Sequence, residues 1–426
     1  MILIKYPAEN DWPALQVRPE IDMTMLFDTV RVVLDKVRIE GDAGIRYYGN
    51  LYDKVDICDF AVSQAEIREA ESIVSDDLKK AICIACSNIE KFHSAQARPE
   101  LKVETMPGVT CWQKSVPIEK VGLYIPGGTA PLFSSVLMLA IPARIAGCRE
   151  IVLCTPPNRE GKIHPAILYA AQVSGVHKIF KIGGIQAIAA MSYGTESVPG
   201  VYKIFGPGNQ YVTAAKQLVS LKDVAIDMPA GPSEVEIIAD DSANPVFIAS
   251  DFLSQAEHGI DSQSILLTVS ESLAERVILE IERQSSRLQR KDYIEKSLEN
   301  SKVILLKDKD ELIRFTNQYA PEHLIIHTTD YREIKDQILN AGSVFLGAYT
   351  PESAGDYASG TNHTLPTKGY AKMFSGVNLD SFVKKITFQE ITAEGLKTLG
   401  PVIEIMAENE QLDAHKNAVT VRLANG

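Results

Sequence analysis

The chain has 426 residues, of which 45% are hydrophobic and 23% charged, and this length exceeds what one hydrophobic core usually serves. Its 43 basic and 55 acidic residues give a formal net charge of -12, and the basic residues form no long run, which argues against nucleic acid or an anionic membrane as a partner. The opening apolar run is too short for a signal peptide and no later run is long enough to span a membrane, so a cytoplasmic protein is expected.

The first 110 or so residues are predicted to be mostly helical, because segments 64–74 and 76–92 repeat apolar residues at a spacing of three to four. Cys83 and Cys86 form a C-x-x-C pair in the second segment. With no second Cys/His pair nearby, we expect core packing for this pair rather than zinc or redox chemistry. Six cysteines without an export signal predict reduced thiols rather than a disulfide framework.

Short apolar strands that end in glycine turns, each followed by a helix, begin near residue 119. Their predicted ranges are 121–125, 151–154, 179–182 and 202–205. Strands that alternate with helices favour an open parallel sheet. Glycine turns after strands suit phosphate groups, but Tyr211 stands where a dinucleotide fingerprint would need its third glycine. A structural turn and a cofactor site therefore both remain open for residues 206–209.

A second series of the same kind follows. Its predicted strands are 235–238, 264–269, 303–306, 324–327 and 343–346, with helices that include 248–258 and 273–284. Two doubly wound units in tandem are therefore expected, with a compact boundary near residue 233 because no Pro/Ser-rich linker separates them. From residue 391 the apolar spacing predicts a long amphipathic helix after the Gly400-Pro401 break, and such an appended helix often docks on another subunit.

Two short segments combine groups that could do chemistry. Gln255 and His258 stand three apart on a predicted helix, so both face one side and could share a metal ion, although a histidine at this end is, taken alone, more often a helix cap. Glu322 and His323 are adjacent just before an apolar strand, where they could supply two proton-transfer groups or form a solvated turn.

Two more segments lie towards the C-terminus. Residues 353–366 are polar and rich in glycine, which predicts a functional loop, and Asp356 within it offers a hard anionic ligand. Glu410 and His415 lie near the end of the chain, where a histidine is usually a surface residue. Each feature is weak alone, so its interpretation depends on the others.

Seven short motifs span nearly the whole chain. They are GLYIPGG at 122–128, GPGN at 206–209, AGPSE at 230–234, QAEH at 255–258, APEH at 320–323, GDY at 355–357 and LDAHKN at 412–417. Together and in this order they resemble the histidinol dehydrogenase family, and a chance match of all seven is implausible.

The resemblance implies an NAD-dependent enzyme that oxidises L-histidinol, by way of L-histidinaldehyde, to L-histidine in the final steps of histidine biosynthesis. It implies that one Zn²⁺ per subunit is bound by Gln255, His258, Asp356 and His415. It implies substrate contacts from His323, from the four zinc ligands and from Ser233 and Glu410. It implies NAD contacts from Tyr124, Gln186 and Asn209.

The resemblance also implies an α/β fold of two incomplete Rossmann-like doubly wound domains in tandem, with a small N-terminal arm and a C-terminal helical extension. The expected boundaries are 1–20 for the arm, 21–120 with 235–376 for the zinc-binding catalytic domain, 121–234 for the NAD-binding domain and 377–426 for the extension. The family is homodimeric, so the extension is expected to lend His415 and Glu410 to the partner's active site.

The implied ligands suit a zinc ion that grips the substrate. One carboxylate, two neutral imidazoles and an amide oxygen leave residual positive charge, so the ion can still take substrate nitrogens. As a hypothesis, His323 is the general base for alcohol oxidation and Glu322 activates a water for the second oxidation. Two alternatives are a zinc hydrolase with Glu322 as base, and a non-enzymatic zinc- or ligand-binding protein on a two-domain frame.

Overall fold

The computed structural model describes residues 2–19, 24–127, 130–229 and 231–425, so Gly128 and Ala230 of the motifs lie outside the described residues. The chain forms two compact units. The first consists of Met1–Gln96 and Glu119–Phe382, and the second of Ala97–Ile118 and Val383–Gly426.

Strands of the described residues are, in chain order, β1 (Ile2–Lys5), β2 (Lys102–Met106), β3 (Val109–Pro117), β4 (Lys120–Tyr124), β5 (Glu150–Thr155), β6 (Lys178–Lys181), β7 (Lys203–Phe205), β8 (Ala225–Ile226), β9 (Glu234–Ala239), β10 (Gln263–Thr268), β11 (Lys302–Leu305), β12 (His323–His327), β13 (Ser343–Leu346) and β14 (Val383–Ile391).

Helices of the same residues are α1 (Trp12–Leu15), α2 (Thr24–Glu40), α3 (Asp42–Tyr48), α4 (Gln64–Ile73), α5 (Asp76–Ser94), α6 (Phe133–Ala146), α7 (Pro165–Val173), α8 (Gly184–Tyr193), α9 (Gln210–Ser220), α10 (Pro245–Ala256), α11 (Glu271–Ser285), α12 (Lys291–Asn300), α13 (Lys309–Tyr319), α14 (Tyr331–Lys335), α15 (Glu352–Tyr357), α16 (Ala393–Asn409) and α17 (Asp413–Asn425).

The first unit contains two parallel sheets with the same strand order. One sheet runs β6-β5-β4-β7-β8, and the other runs β1-β11-β10-β9-β12-β13. Numbered along the chain within each series, both follow the order 3-2-1-4-5 of one half of a doubly wound nucleotide-binding fold. The prediction of two incomplete Rossmann-like domains in tandem is therefore confirmed at the level of the fold class.

Apolar segments within the strands, such as Ile237–Ala239 and Ile265–Leu267, explain why these strands form and where the core lies. All six residues of β9 and of β10 are buried, as expected for parallel strands that helices cover on both faces. The extra strand β1 pairs in parallel with β11 at the sheet edge, so the N-terminal residues join the second series. The domain boundaries expected from the sequence stay predictions.

Local signals set the ends of the predicted helices. Ser63 and Glu66 form a capping box that begins α4, and the Ser75 hydroxyl caps α5, so both helices begin where the sequence predicts. The core-packing interpretation of the cysteine pair on α5 is wrong for Cys83, which is exposed, whereas Cys86 is half-buried. The reason is that the buried face of this helix is formed by Ile82, Ala85 and Ile89, and Cys83 does not lie on that face.

The second unit departs most from the sequence-based expectation. Strand β14 pairs antiparallel with β3, and β3 pairs antiparallel with β2, in a three-stranded sheet that the sequence did not predict. Helix α16 begins at Ala393 and continues through Pro401, so the expected start after the Gly400-Pro401 break is wrong. The Thr392 hydroxyl, which accepts a hydrogen bond from the Gly395 N–H, supplies the N-terminal cap.

No helix among the described residues is both long enough and apolar enough to cross a membrane.

Candidate active site

The Glu322-His323 pair lies at the amino end of β12, in the interior of the six-stranded sheet. His323 is paired with Val235 of β9 and with Ser343 of β13. Because these strands are parallel, their amino ends meet at one edge, which places Ser233 beside the pair. Ligands of open α/β sheets usually bind at the opposite, carboxyl edge.

Both members of the pair are buried, and both contact the main chain of Glu234. The Glu234 N–H donates a hydrogen bond of 2.9 Å to Glu322 Oε2, and the Glu234 carbonyl oxygen lies 3.3 Å from His323 Nδ1. His323 Nδ1 is 3.6 Å from Glu322 Oε2. His323 Nε2 has no hydrogen-bond partner among the described residues, so it is available to a substrate. The Glu-His pair is therefore an ordered buried unit and not a solvated turn.

Two further carboxylates surround the imidazole. His323 Nδ1 lies 3.8 Å from Glu352 Oε1, and His323 Nε2 lies 3.6 Å from Asp356 Oδ1. Burial lowers the pKa of His323, but Glu352, Glu322 and Asp356 outweigh it and raise the pKa to about 10. Burial also raises the pKa of Glu322 to about 7 and that of Glu352 to about 8. Excess negative charge therefore holds the proton on His323 in the isolated chain.

Three residues, two from α15 and one that follows α10, bring metal-ligating atoms together. One ligand atom from each of His258, Glu352 and Asp356 lies within 4.8 Å of the others. Gln255 is fully buried, and neither its Oε1 nor its Nε2 has a partner among the described residues. A buried amide without a partner is costly, and a cation would satisfy its oxygen. Imidazole, carboxylate and amide oxygen donors fit Zn²⁺.

Helix α10 presents these two residues differently from the sequence-based expectation. It ends at Ala256, so His258 lies beyond the helix and not on its face, although its N–H still donates to the Gln255 carbonyl at 3.2 Å. The His258 side chain keeps exposed surface. Desolvation by the surrounding protein lowers the pKa of its imidazole, and the charge of Asp356 offsets this only in part. The lowered pKa favours the neutral form of the ring, which is the form that binds metals.

Glu352 is the residue that the sequence-based reasoning missed. It precedes Asp356 by four residues within α15, so both carboxylates project from one side of a helical turn. The polar, glycine-containing sequence of residues 353–366 predicts a loop, whereas the structure begins this segment with α15. The four-residue spacing of two acids was the available signal. Both oxygens of Glu352 are buried without a hydrogen-bond partner among the described residues.

Glu410 and His415 lie in the second unit. Glu410 follows α16, His415 lies in the first turn of α17, and both side chains are exposed. The single chain therefore brings Ser233, Gln255, His258, His323 and Asp356 into its first unit, whereas Glu410 and His415 belong to the second. Their place in a partner's site stays a prediction.

The three residues expected to contact NAD line one cavity of about 1170 Å³ in the first unit. It opens at the carboxyl ends of β4 and β7, where the strand order of the five-stranded sheet reverses. Gly206 lies at this point with a φ of 125°, and a Cβ there would collide with the Tyr124 carbonyl oxygen. The turn therefore requires glycine at this position even though the dinucleotide fingerprint is incomplete.

Hydrogen bonds fix the polar lining of this cavity. The Tyr124 hydroxyl accepts from the Gly184 N–H at 3.1 Å, and Gln186 Nε2 donates to Asp53 at 3.1 Å. Asn209 caps α9, accepting from two backbone N–H groups at 3.1 Å. Gln186 Oε1 is buried without a partner among the described residues. These groups, with Arg159 and Lys162, which also line the cavity, fit the hydroxyls and phosphates of a dinucleotide.

Comparison with known proteins gives one consistent result. The family model described as histidinol dehydrogenase matches residues 16–423. The histidinol dehydrogenase of Bacteroides thetaiotaomicron is 67% identical over 423 residues, covering 99% of each chain. That of Escherichia coli strain K12 is 53% identical over 412 residues, covering 96% of this chain and 94% of the relative.

Solved structures agree with the sequence comparison. The crystal structure of histidinol dehydrogenase from Elizabethkingia anophelis matches with a TM-score of 0.98 and 52% identity, covering 100% of this chain and 98% of that one. An acetylating aldehyde dehydrogenase from Geobacillus thermoglucosidasius matches with a TM-score of 0.50 and 15% identity over 89% of this chain and 94% of that one. The second likeness shows the fold alone.

Proposed function

The chain belongs to the histidinol dehydrogenase family and is thereby an oxidoreductase of histidine biosynthesis, and we propose that it oxidises L-histidinol to L-histidine through L-histidinaldehyde. We propose NAD⁺ as the oxidant and one Zn²⁺ per subunit as the metal. The observation that carries this proposal is the buried Glu322-His323 pair, whose imidazole lies 3.6 Å from Asp356, a member of the metal-ligating group.

The cavity at the reversal of strand order supports the dinucleotide. Its lining includes Tyr124, Gln186 and Asn209. The buried Oε1 of Gln186, which has no hydrogen-bond partner among the described residues, can accept a hydrogen bond from a hydroxyl or an amide of the cofactor. When bound, NAD⁺ accepts one hydride in each of the two oxidation steps. Gln186 and Asn209 would orient it, and the buried Tyr124 would pack against it.

The donor set supports the metal. Gln255, His258 and Asp356 would hold it in this chain, with His415 of a second subunit completing the set, and Glu352 is close enough to add a carboxylate. When bound, Zn²⁺ supplies a Lewis-acidic site that orients the substrate nitrogens and a positive charge that offsets the carboxylates around His323.

His323 is the proposed general base of the first oxidation. The Glu234 carbonyl oxygen faces Nδ1, which favours a proton on Nδ1. A bound cation that offsets the surrounding carboxylates would lower the pKa of the ring, so that Nε2 loses its proton and can accept that of the substrate hydroxyl. Burial excludes competing water from this nitrogen.

Glu322 is the proposed base of the second oxidation. It accepts a hydrogen bond from the Glu234 N–H, which favours its carboxylate, whereas burial raises its pKa to about 7. A carboxylate with a pKa near neutrality can take a proton from water and release it again. Glu322 would thus activate the water that adds to the aldehyde, and the resulting hydrate would lose the second hydride.

We further propose a homodimer in which the C-terminal segment of one subunit completes the site of the other. Three apolar residues of α16 support an interface, since Val402, Ile405 and Met406 are 51%, 62% and 61% exposed in the single chain. Glu410 and His415 follow this surface and are exposed as well. The cytoplasmic location expected from the sequence stays a prediction.

One assay separates this function from its alternatives. The proposal predicts NADH formation only when L-histidinol and NAD⁺ are both present, and loss of that activity after chelation. A zinc hydrolase with Glu322 as base would show metal-dependent activity without NAD⁺. A binding protein would take up ligand without turnover, and either result would refute the proposal.

A further inference from the structure

The main chain of Glu234 contacts both members of the catalytic pair. Its N–H donates to Glu322 Oε2 at 2.9 Å, and its carbonyl oxygen lies 3.3 Å from His323 Nδ1. The two contacts come from the peptide groups on either side of one Cα atom. Any rotation of this residue would therefore move both contacts at once.

The side chain of Glu234 is clamped by an arginine from the N-terminal segment. Arg18 Nη2 donates to Glu234 Oε1 at 2.9 Å, and Arg18 Nε donates to Oε2. The side chains are only 13% and 2% exposed, respectively. This two-pronged pairing fixes the orientation of the carboxylate as well as its position, which a lysine at the same place would not do.

The guanidinium is itself fixed by Tyr319. Arg18 Nη2 donates to the Tyr319 carbonyl oxygen at 2.7 Å, and the guanidinium carbon lies 3.8 Å from the centre of the Tyr319 ring. The Tyr319 hydroxyl donates to Gln263 Oε1 at 2.8 Å. Gln263 Nε2 in turn donates to the Val17 carbonyl oxygen at 3.2 Å, so the segment that carries Arg18 is held on both sides.

The residue before Glu234 is anchored by the same neighbours. The Gln263 N–H donates to the Ser233 carbonyl oxygen at 3.2 Å. The peptide that presents the Glu234 N–H is therefore held at its oxygen by β10 and at the following side chain by Arg18. Its hydrogen points at Glu322 as a consequence.

We propose that Arg18 is a positioning residue for the oxidation reaction, because it holds the Glu234 main chain in the orientation that aligns Glu322 and His323. This inference rests on the proposed function for the roles of the two catalytic residues. Arg18 touches neither of them and acts only through Glu234. The N-terminal segment, which contains none of the proposed catalytic residues, thereby sets the orientation of Glu322 and His323.

A purely structural explanation makes a different prediction. Buried ion pairs often contribute little to net stability, because desolvation of both charges offsets their attraction. A stability effect alone would change the amount of folded enzyme or its melting temperature. A positioning effect lowers kcat of the folded enzyme while KM for L-histidinol and NAD⁺ stays the same.

The test compares Arg18→Ala and Arg18→Lys with wild type, using full-length enzyme loaded with zinc. We expect kcat to fall about 10- to 100-fold in Arg18→Ala, with both KM values within about twofold, since misaligned groups cost rate and not binding. Added guanidinium should restore part of kcat in Arg18→Ala. Arg18→Lys keeps the positive charge but not the two parallel hydrogen bonds to Glu234, so its kcat should be intermediate. If Arg18→Ala fails to fold, Arg18→Lys alone still decides the question.

Arg149→Ala is the matched control, because Arg149 pairs with Glu119 on the surface and is 84% exposed. Its kcat should equal that of wild type. A folded Arg18→Ala or Arg18→Lys with wild-type kcat would overturn the inference, as would a loss that guanidinium does not reverse. A wild-type enzyme without NAD⁺-dependent activity on L-histidinol would instead refute the proposed function.

Discussion

The Nε2 atom of His363 lies 3.0 Å from the Oγ atom of Ser135, and the Nδ1 atom of the same ring lies 2.8 Å from the carbonyl oxygen of Asp356. Ser135 is in the first turn of α6, the helix that follows β4 and the cavity wall at Tyr124. Burial lowers the pKa of His363 and favours a neutral ring, which donates through Nδ1 and accepts the hydroxyl proton at Nε2. The His363 side chain thus connects α15, which carries Asp356, to α6, which follows the strand that carries Tyr124.

Removal of the Ser135 hydroxyl should loosen this connection without touching a catalytic group. We expect Ser135→Ala to lower kcat about fivefold, which corresponds to one hydrogen bond of about 1 kcal/mol. Zinc content should stay at the wild-type level. Ser192→Ala is the matched control, because among the described residues that hydroxyl donates to the Ile188 carbonyl oxygen within α8 and to no other group. Equal kcat values for both variants would show that the contact does not matter for catalysis.

Glu322→Gln separates the two oxidation steps. The amide cannot take a proton from water, but His323 keeps its free Nε2, so we expect aldehyde formation from the alcohol to survive better than aldehyde oxidation. The two half-reactions are measured as NADH formed from L-histidinol and from L-histidinaldehyde. Equal losses in both would refute the assignment of Glu322 to the second step.

The buried Glu236 predicts a pH dependence of stability. Burial raises its pKa from 4.5 to about 8, so the folded chain holds this proton more tightly than the unfolded chain does. The stability that this group contributes is present below pH 4.5 and is lost as the pH rises towards about 8. The loss is at most about 1.4 kcal/mol per pH unit within that window.

Glu236→Gln cannot ionise and should therefore escape that loss. Its melting temperature, measured as a difference from wild type, should rise by a few degrees between pH 5 and pH 8. Glu299→Gln, at an exposed position of α12, should show a constant difference over the same range. A constant difference for Glu236→Gln as well would mean that this carboxyl titrates normally in the folded chain.

Complementation tests whether the site is shared between subunits. If His415 acts in the partner's site, a heterodimer of His415→Ala and His323→Ala contains one intact site and one doubly altered site. Purified heterodimers should then recover about half of the wild-type activity, while each variant alone is inactive. No recovery in verified heterodimers would place all of the ligands within one chain.

The buried parallel sheets could be predicted from the sequence, whereas the second unit could not. Strands such as β9 and β12 have fully buried apolar centres, Ile237–Ala239 and Leu324–Ile326, because helices cover both of their faces. Strand β14, VKKITFQEI, alternates apolar and polar residues only over 386–389, and eight of its nine residues are exposed in the single chain, so no sustained pattern marks it. Its pairing with β3 depends on residues about 270 positions away, which local patterns do not report.

The candidate site likewise contains residues that could be predicted from the sequence and residues that could not. Glu322, His323 and Asp356 were predicted from motifs that resemble those of a known family, and the structure places a carboxylate oxygen of Glu322 and one of Asp356 each 3.6 Å from the His323 ring. Glu352 was missed because its chemistry exists only when α15 forms and aligns it with Asp356. The positioning contact of Arg18 with Glu234 joins residues 216 positions apart, and no spacing rule predicts it.

The most direct test of the proposed chemistry is the number of NADH molecules formed per molecule of L-histidine, measured before chelation, after chelation and after Zn²⁺ is restored. A metal site beside the Glu322-His323 pair predicts two NADH per L-histidine, loss of both after chelation, and recovery of both with Zn²⁺. One NADH with release of the aldehyde, or two that persist in the metal-free enzyme, would contradict it.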